Sequence, residues 1–533
     1  MKISFHGAAR TVTGSFFVLE TGTTRFAVDC GLFQGRNEIK ERNYQPFRIN
    51  PADLDFMILT HAHIDHSGLI PKLCAHGFKG SIYCTFATAD LASILLPDSA
   101  HIQEMEIERK NRKLTRAGQP LLTPIYTVED AEKCLKQFKP FGYDEVIQPA
   151  PGVEMRLRDA GHILGSAILE LWVTEPSGKT KLVFSGDLGN SRQRIIKDPT
   201  CIESADYLIL ESTYGDRLHQ INANRMDQLM EVIEFTRKKG GNLVIPAFAV
   251  ERTQDLIYDL NLLYKQGKLP AGQQVYIDSP LAIAATEIFK RSSEFYDNET
   301  RQLLMEGNDP FLLPNLHFSR TREDSISLNE SGSGKIIISA SGMCDAGRIK
   351  HHLKHNLWRP DSTILFVGYQ AAGTLGRRLL DGEKLVTIHG EQVAVKADIM
   401  HIDGYSAHAD QGGIMAWLKR FTVLPRNIFL VHGEEQSLTA LRDLIQRELV
   451  TPVTIPNWLD EIDLQNLPGK RASEATLEAA ATVASRSQAM KAEEAYLQFR
   501  LDVNRFFQSH WDAGQYDRLL EKLSEARRIL ETG

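Results

Sequence analysis

The sequence predicts an α/β protein, on three observations: short apolar runs that recur along most of the chain, helical periodicity between them, and ionisable residues set at the ends of the runs. The runs include FAVDCG (Phe26–Gly31), FMILTH (Phe56–His61), LVFSGD (Leu182–Asp187) and LILES (Leu208–Ser212). LVIPAF (from Leu243), VYIDS (from Val275), IIISASG (from Ile336), ILFVGY (from Ile364) and IFLVHG (from Ile428) follow. Apolar stretches of this length bounded by glycine or proline are expected to be buried strands. Between two of them, Met226, Leu229, Met230 and Ile233 repeat at i, i+3, i+4, i+7, the stripe of an amphipathic helix. Strands alternating with helices build α/β domains, and chemistry in open α/β sheets gathers at the carboxyl ends of strands. Asp29, His61, Asp187, Glu211 and His432 all fall there.

A chain of 533 residues exceeds one ordinary core, so two or three domains are expected. Its 42% hydrophobic and 24% charged residues are the balance of a soluble globular protein. No apolar run approaches the roughly eighteen residues of a membrane span, and MKISFHGAARTVTGS lacks the charged start and apolar stretch of a signal peptide. The 6 cysteines are dispersed, with no CxxC pair, which fits a reducing compartment, so a cytoplasmic location is expected. The net charge of −7 speaks mildly against a nucleic-acid partner. Bound divalent cations would offset it where acids cluster, however, and basic runs occur at Arg109–Lys113, Arg237–Lys239 and Arg320–Arg322. Runs of that kind are first of all solvated surface, so charge alone decides nothing.

The sharpest signal is His61-Ala62-His63-Ile64-Asp65-His66, an HxHxDH cluster directly after the run ending at Thr60. Imidazole nitrogen and carboxylate oxygen are the donors zinc prefers, and catalytic zinc sites keep a position for water. On a tight turn from strand to helix, His61 and His63 can face one metal while Asp65 and His66 face a second. Further ligands stand at other strand ends: His162 in AGHILGS, Asp187 in LVFSGD and His432 in IFLVHG. An ionisable side chain at the end of a buried strand is costly unless it is liganded or paired.

These motifs resemble those of the metallo-β-lactamase superfamily: an acid ending an early strand (Asp29), HxHxDH, a lone histidine (His162) and a lone aspartate (Asp187). The chain further resembles the β-CASP branch, with Glu211 in ESTYG, His408 in SAHAD and His432 in HGE matching its three additional motifs. IPAFAVER (from Ile245), DSPLA (from Asp278), SASGM (from Ser339) and GYQAAGTLGR (from Gly368) match as well, so that the resemblance covers roughly residues 1–455.

The resemblance implies an αββα sandwich from residues 1–212 and 386–460, with a β-CASP domain of 213–385 inserted between its halves. It implies two Zn²⁺ per chain: one held by His61, His63 and His162, the other by Asp65, His66 and His432, with Asp187 bridging and Asp29 orienting a ligand. It also implies RNA as the substrate, since DNA-directed relatives generally lack a histidine at the position of His432. His408 is then the expected general acid, with Glu211 beside it favouring the protonated imidazole. Asp410 is expected chiefly to cap the following helix. Possible phosphate contacts are Ser341 and Gly342 after a strand, and Arg377 or Arg378 beside the Gly373–Gly376 turn, each equally readable as plain structure. His351, His352 and His355 share a helix, but with Lys350 and Lys354 flanking them they read as solvated or RNA-facing. Two other readings stand: a hydrolase of a small ester or thioester, and a non-catalytic scaffold subunit in RNA processing.

Beyond about residue 460 the strand pattern stops, and 461–533 is expected to be a helical extension. Leu519, Leu523, Ala526 and Leu530 make a narrow apolar stripe, with Leu497, Leu501, Phe506 and Phe507 upstream. One helix cannot bury such surface alone, so it is expected to pack on the body or to join a homodimer.

Overall fold

The computed structural model describes residues 1–191, 193–219, 225–270, 272–371 and 373–467, together with Arg518, Glu521, Lys522, Ser524 and Glu525. Residues 1–467 form one compact unit. The apolar stripe of the C-terminal extension, and with it the expected dimer contact, lies outside the described residues. Among those described, no helix is long and apolar enough to cross a membrane.

Two seven-stranded sheets face one another. The first runs, in spatial order, Glu461–Asp463, Lys2–Phe5, Phe17–Glu20, Arg25–Val28, Phe56–Ile58, Ser81–Thr85 and Phe138–Phe141. The second runs Val453–Thr454, Asn427–Val431, Tyr207–Glu211, Gly178–Phe184, Ala167–Glu175, Val153–Asp159 and Val146–Ala150. Period-two alternation decides what lies between them. Phe5, Phe17, Phe26 and Phe56 of the first sheet meet Leu157, Leu169, Phe184 and Phe429 of the second in one buried layer. The rings of Phe26 and Phe56 stack at 4.6 Å, and Phe5 lies 5.6 Å from Phe429. Each such ring contributes about 1.5–3 kcal/mol by leaving water.

The alternate residues point outward and are covered by helices. Ala27, Met57 and Ile82 lie under Ile70–Ala75, Phe86–Arg116 and Val128–Cys134, while Val183, Leu208 and Ile428 lie under Gln411–Leu418 and Glu435–Leu449. The result is an αββα sandwich.

A third sheet of six parallel strands runs Leu316–Phe318, Val275–Ile277, Ile336–Ser339, Leu243–Pro246, Thr363–Phe366 and Asp398–His401. Its central strands Ile336–Ser339, Leu243–Pro246 and Thr363–Phe366 are buried along their whole length, as strands covered by helices on both faces must be. Leu243, Ile245 and Ile338 pack toward Arg225–Lys239, Arg252–Lys265 and Pro280–Arg291, and Val244, Ile337 and Ile364 toward Ile349–Asn356 and Leu375–Leu380. Met226, Leu229, Met230 and Ile233 are the buried face of Arg225–Lys239. Asp398–His401 pairs with Thr363–Phe366, so the inserted sheet continues past residue 385, where the sequence places the return to the sandwich. The sandwich likewise runs past 460, because Glu461–Asp463 pairs with Lys2–Ser4.

Candidate metal centre

The candidate ligands stand on loops that leave one edge of the sandwich. His61 follows Phe56–Ile58, His162 follows Val153–Asp159, Asp187 follows Gly178–Phe184, His432 follows Asn427–Val431, and Glu211 ends Tyr207–Glu211. Two of these exits are tight: Asp29 and His432 adopt φ of 57° and 51°, a region that strains any residue bearing a β-carbon and is over-represented at functional sites. Gly31 permits the approach of the Asp29 turn to the histidine cluster, since a β-carbon there would lie 1.6 Å from the Asp65 carbonyl oxygen. The two segments are then stitched together by Cys30 N–H donating to His66 O at 2.8 Å and Leu32 N–H to Ile64 O at 2.8 Å.

Seven side chains converge in two groups. In the first, His63 Nδ1 lies 3.2 Å from His61 Nε2 and 3.2 Å from His162 Nε2, and Asp187 Oδ2 is 3.5 Å from each of those Nε2 atoms. In the second, His66 Nε2 is 3.3 Å from His432 Nε2, which is 3.5 Å from Asp65 Oδ2. The other Asp187 oxygen, Oδ1, stands 3.2 Å from His66 Nε2. Asp187 thus turns one oxygen to each group.

This arrangement fits metal ions. Donors held at about 2.05 Å on a tetrahedron stand about 3.3 Å apart, close to the separations found. Three imidazole nitrogens meeting at one point cannot all donate to one another. Asp187 Oδ1 is buried and receives no hydrogen bond. Burial holds the His61 and His162 imidazoles well below their ordinary range and lowers His63 to about 4, keeping the lone pairs available. His66 differs. Burial would lower it, but the Asp187 and Asp29 carboxylates raise it well above its ordinary value, so a cation binding there displaces a proton.

The ligands are oriented from behind. Asp29 Oδ2 lies 2.7 Å from His66 Nδ1, and Asp29 itself accepts from Thr60 N–H at 2.8 Å and Thr60 Oγ1 at 2.9 Å. Thr213 Oγ1 stands 3.0 Å from His432 Nδ1. Sequence reasoning passes over Thr60 and Thr213. The only signal for either is a hydroxyl adjoining a motif, in Thr60-His61 and in Glu211-Ser212-Thr213.

His408 sits beside the centre. Its Nδ1 is 3.1 and 3.2 Å from the Glu211 oxygens and 3.9 Å from Asp187 Oδ2. Glu211 is aimed by Leu188 N–H at 2.7 Å and Thr213 N–H at 3.2 Å. Burial would lower the His408 pKa, but Glu211 and then Asp187 outweigh it and lift the value to about 9. Asp410 caps Gln411–Leu418 through Gly413 N–H at 2.7 Å.

Other expected residues are engaged elsewhere. Arg377 pairs with Asp381 at 2.9 Å and Arg378 with Glu383 at 2.6 Å, partners that compete with any phosphate. Ser341 lies in a loop where its N–H and Oγ both donate to Ala346 O, and the Gly342 carbonyl accepts from Gln370. His351 and His355 are exposed, but His352 corrects the expectation of a wholly solvated face. It is fully buried, 2.6 Å from Asp278 Oδ2, a carboxylate 74 residues away in the chain and invisible to local reading.

Comparison with known proteins agrees with this geometry. The chain matches the metallo-beta-lactamase superfamily over residues 9–247, the Beta-Casp domain over 253–379, and the Zn-dependent metallo-hydrolase RNA specificity domain over 392–456. It is 36% identical over 445 residues to ribonuclease TTHA0252 of Thermus thermophilus, covering 84% of this chain and 96% of that one. It is 32% identical over 471 residues to transcription termination factor FttA of Methanocaldococcus jannaschii, covering 87% and 71% respectively. With FttA of Pyrococcus abyssi the identity is 33% over 486 residues, covering 87% and 72%. The chain belongs to the β-CASP branch of the metallo-β-lactamase superfamily.

Proposed function

We propose that this protein is a two-zinc ribonuclease that hydrolyses RNA phosphodiester bonds. The observation that carries the reading is the shared carboxylate: Asp187 faces both ligand groups, and the His408–Glu211 pair stands beside it. The ribonuclease and the transcription termination factors among its relatives support RNA as the substrate.

His61, His63 and His162 would hold one ion, Asp65, His66 and His432 the other, and Asp187 both. Bound together, such ions lower the pKa of water toward neutrality and offset charge on the phosphoryl oxygens. Asp65 stays ionised, because His432 and His66 outweigh the burial that would raise its pKa. Asp29 and Thr213 stand behind the His66 and His432 rings and orient them toward the centre. With its Nδ1–H committed to Glu211, His408 keeps its transferable proton on Nε2. At neutral pH the imidazole is charged and gives that proton to the departing alkoxide oxygen of the cleaved strand. Glu211 stabilises the charged ring before transfer and orients it throughout.

The test is incubation of zinc-loaded protein with RNAs labelled at either end and bearing a 5′-phosphate, 5′-triphosphate or 5′-hydroxyl. Metal-dependent cleavage is expected, and the product ladders separate internal cutting from trimming at the end. RNA left intact by protein that turns over a thioester would overturn the reading.

A further inference from the structure

The loop that carries His162 is gripped from the inserted domain. Within the loop, His162 N–H and Ile163 N–H both donate to Ser166 Oγ, at 3.0 and 3.2 Å. The next amide, Leu164 N–H, instead donates to Oε2 of Glu251 at 3.0 Å, across 87 residues of sequence. Glu251 precedes the helix Arg252–Lys265, which packs against the inserted sheet.

Two features of Glu251 are costly. Its side chain is buried, at 1% exposure, with its second carboxylate oxygen lacking any hydrogen bond. Ionising a carboxyl group so placed carries a desolvation penalty, and burial together with the nearby Asp255 pushes its pKa well above the ordinary carboxylate range. Its backbone is also strained: φ is 69° and ψ −59°, and Arg252 N–H donates to Val250 O at 3.0 Å, closing the rare hand of γ-turn. A strained, buried, partly unpaired acid persists where the surrounding structure uses it. Here it ties one amide of a ligand-bearing loop to a rigid helix. The same helix holds a second ligand-bearing segment, because Asp259 pairs at 3.2 Å with Arg194, seven residues past Asp187.

We propose that Glu251 is a positioning residue through which the inserted domain sets the His162 loop, and so the stability of one metal site. The proposal rests on His162 being a metal ligand. Displacement of the inserted domain would pull on Leu164, two residues from that ligand.

The test is zinc release to a chromophoric chelator from fully loaded protein. Glu251→Gly removes the acceptor and relieves the positive φ, so the fold is kept; Glu251→Met removes the acceptor at similar volume. Both should release one ion about tenfold faster or more, the usual scale for residues that orient ligands. For short RNA, kcat should fall while KM stays within about twofold. Glu251→Gln retains a carbonyl acceptor for Leu164 N–H and should restore most of the retention. Wild-type release from folded Glu251→Gly or Glu251→Met protein would overturn the proposal. His162→Ala in the same assay separates the two levels: if it keeps both ions, the ligand assignment fails; if it loses one while the Glu251 variants do not, only the positioning role fails.

Discussion

Glu211→Gln isolates the electrostatic part of the proposed acid. The amide keeps the side chain's volume and one acceptor for Leu188 N–H, but it removes the charge that does most to lift His408 from 6.5 to about 9. At pH 7.5 a group of pKa 9 is about 97% protonated, whereas one returned to its ordinary 6.5 is about 9% protonated. Burial lowers the ring further while Asp187 and Asp65 still raise it, so the loss of cleavage at pH 7.5 should approach about tenfold. Most of it should return near pH 5.5, where the imidazole is again charged. In the unaltered protein the alkaline limb should fall at or below about pH 9, since Asp187's share of the lift shrinks once cations take up its charge. The assay is initial rate against pH on a short labelled RNA, with zinc measured on the same samples. An equal loss at pH 5.5 and 7.5 would refute the acid role. Loss of zinc would instead make Glu211 a ligand, a geometry open to the Asp187, Glu211, His408 group.

Four other outcomes are expected. Asp187→Ala should deplete both zinc ions, because one carboxylate faces both groups; elemental analysis showing full metal content would sink the bridging assignment. His408→Ala should keep its zinc while slowing cleavage by roughly two to four orders of magnitude, whereas His432→Ala should lose one ion; equal metal loss in both would contradict that division of roles. Phe429→Ala, in the layer between the two sheets, should lower unfolding stability by about 3–5 kcal/mol in a denaturant titration. Truncation belongs after residue 467 rather than 460, where it would remove the strand paired with Lys2–Ser4. The shortened chain should keep both metals and some cleavage of short RNA while associating more weakly; an unchanged oligomer by light scattering would dismiss a dimer role for the extension.

The sequence by itself determined what local chemistry could carry. Apolar runs bounded by glycine and proline are strands wherever they fold, and an ionisable side chain closing such a run needs a partner. Those two rules single out Asp29, His61, His162, Asp187, Glu211 and His432, and the HxHxDH spacing adds His63, Asp65 and His66, whereas His408 and the division of roles come only from resemblance to the β-CASP branch. What surrounds them was decided by sheet order. Glu211 and His408 are 197 residues apart, and Thr213 and His432 are 219 apart, so only the stacking of Tyr207–Glu211 beside Asn427–Val431 makes neighbours of the latter pair. His352 shows the limit from the other side. Lysines stand two residues to either side of it, and only the inserted sheet brings Asp278 to its ring and takes it out of water. The extent of that sheet was equally hidden, because Asp398–His401 is a short, half-polar segment that becomes a strand by pairing with Thr363–Phe366. Glu251 falls within the IPAFAVER string, but nothing in that string says what its carboxyl group holds. Its significance depends on a single amide of the His162 loop, left without a partner in its own loop and satisfied from a different domain, a relation that exists only once both are folded.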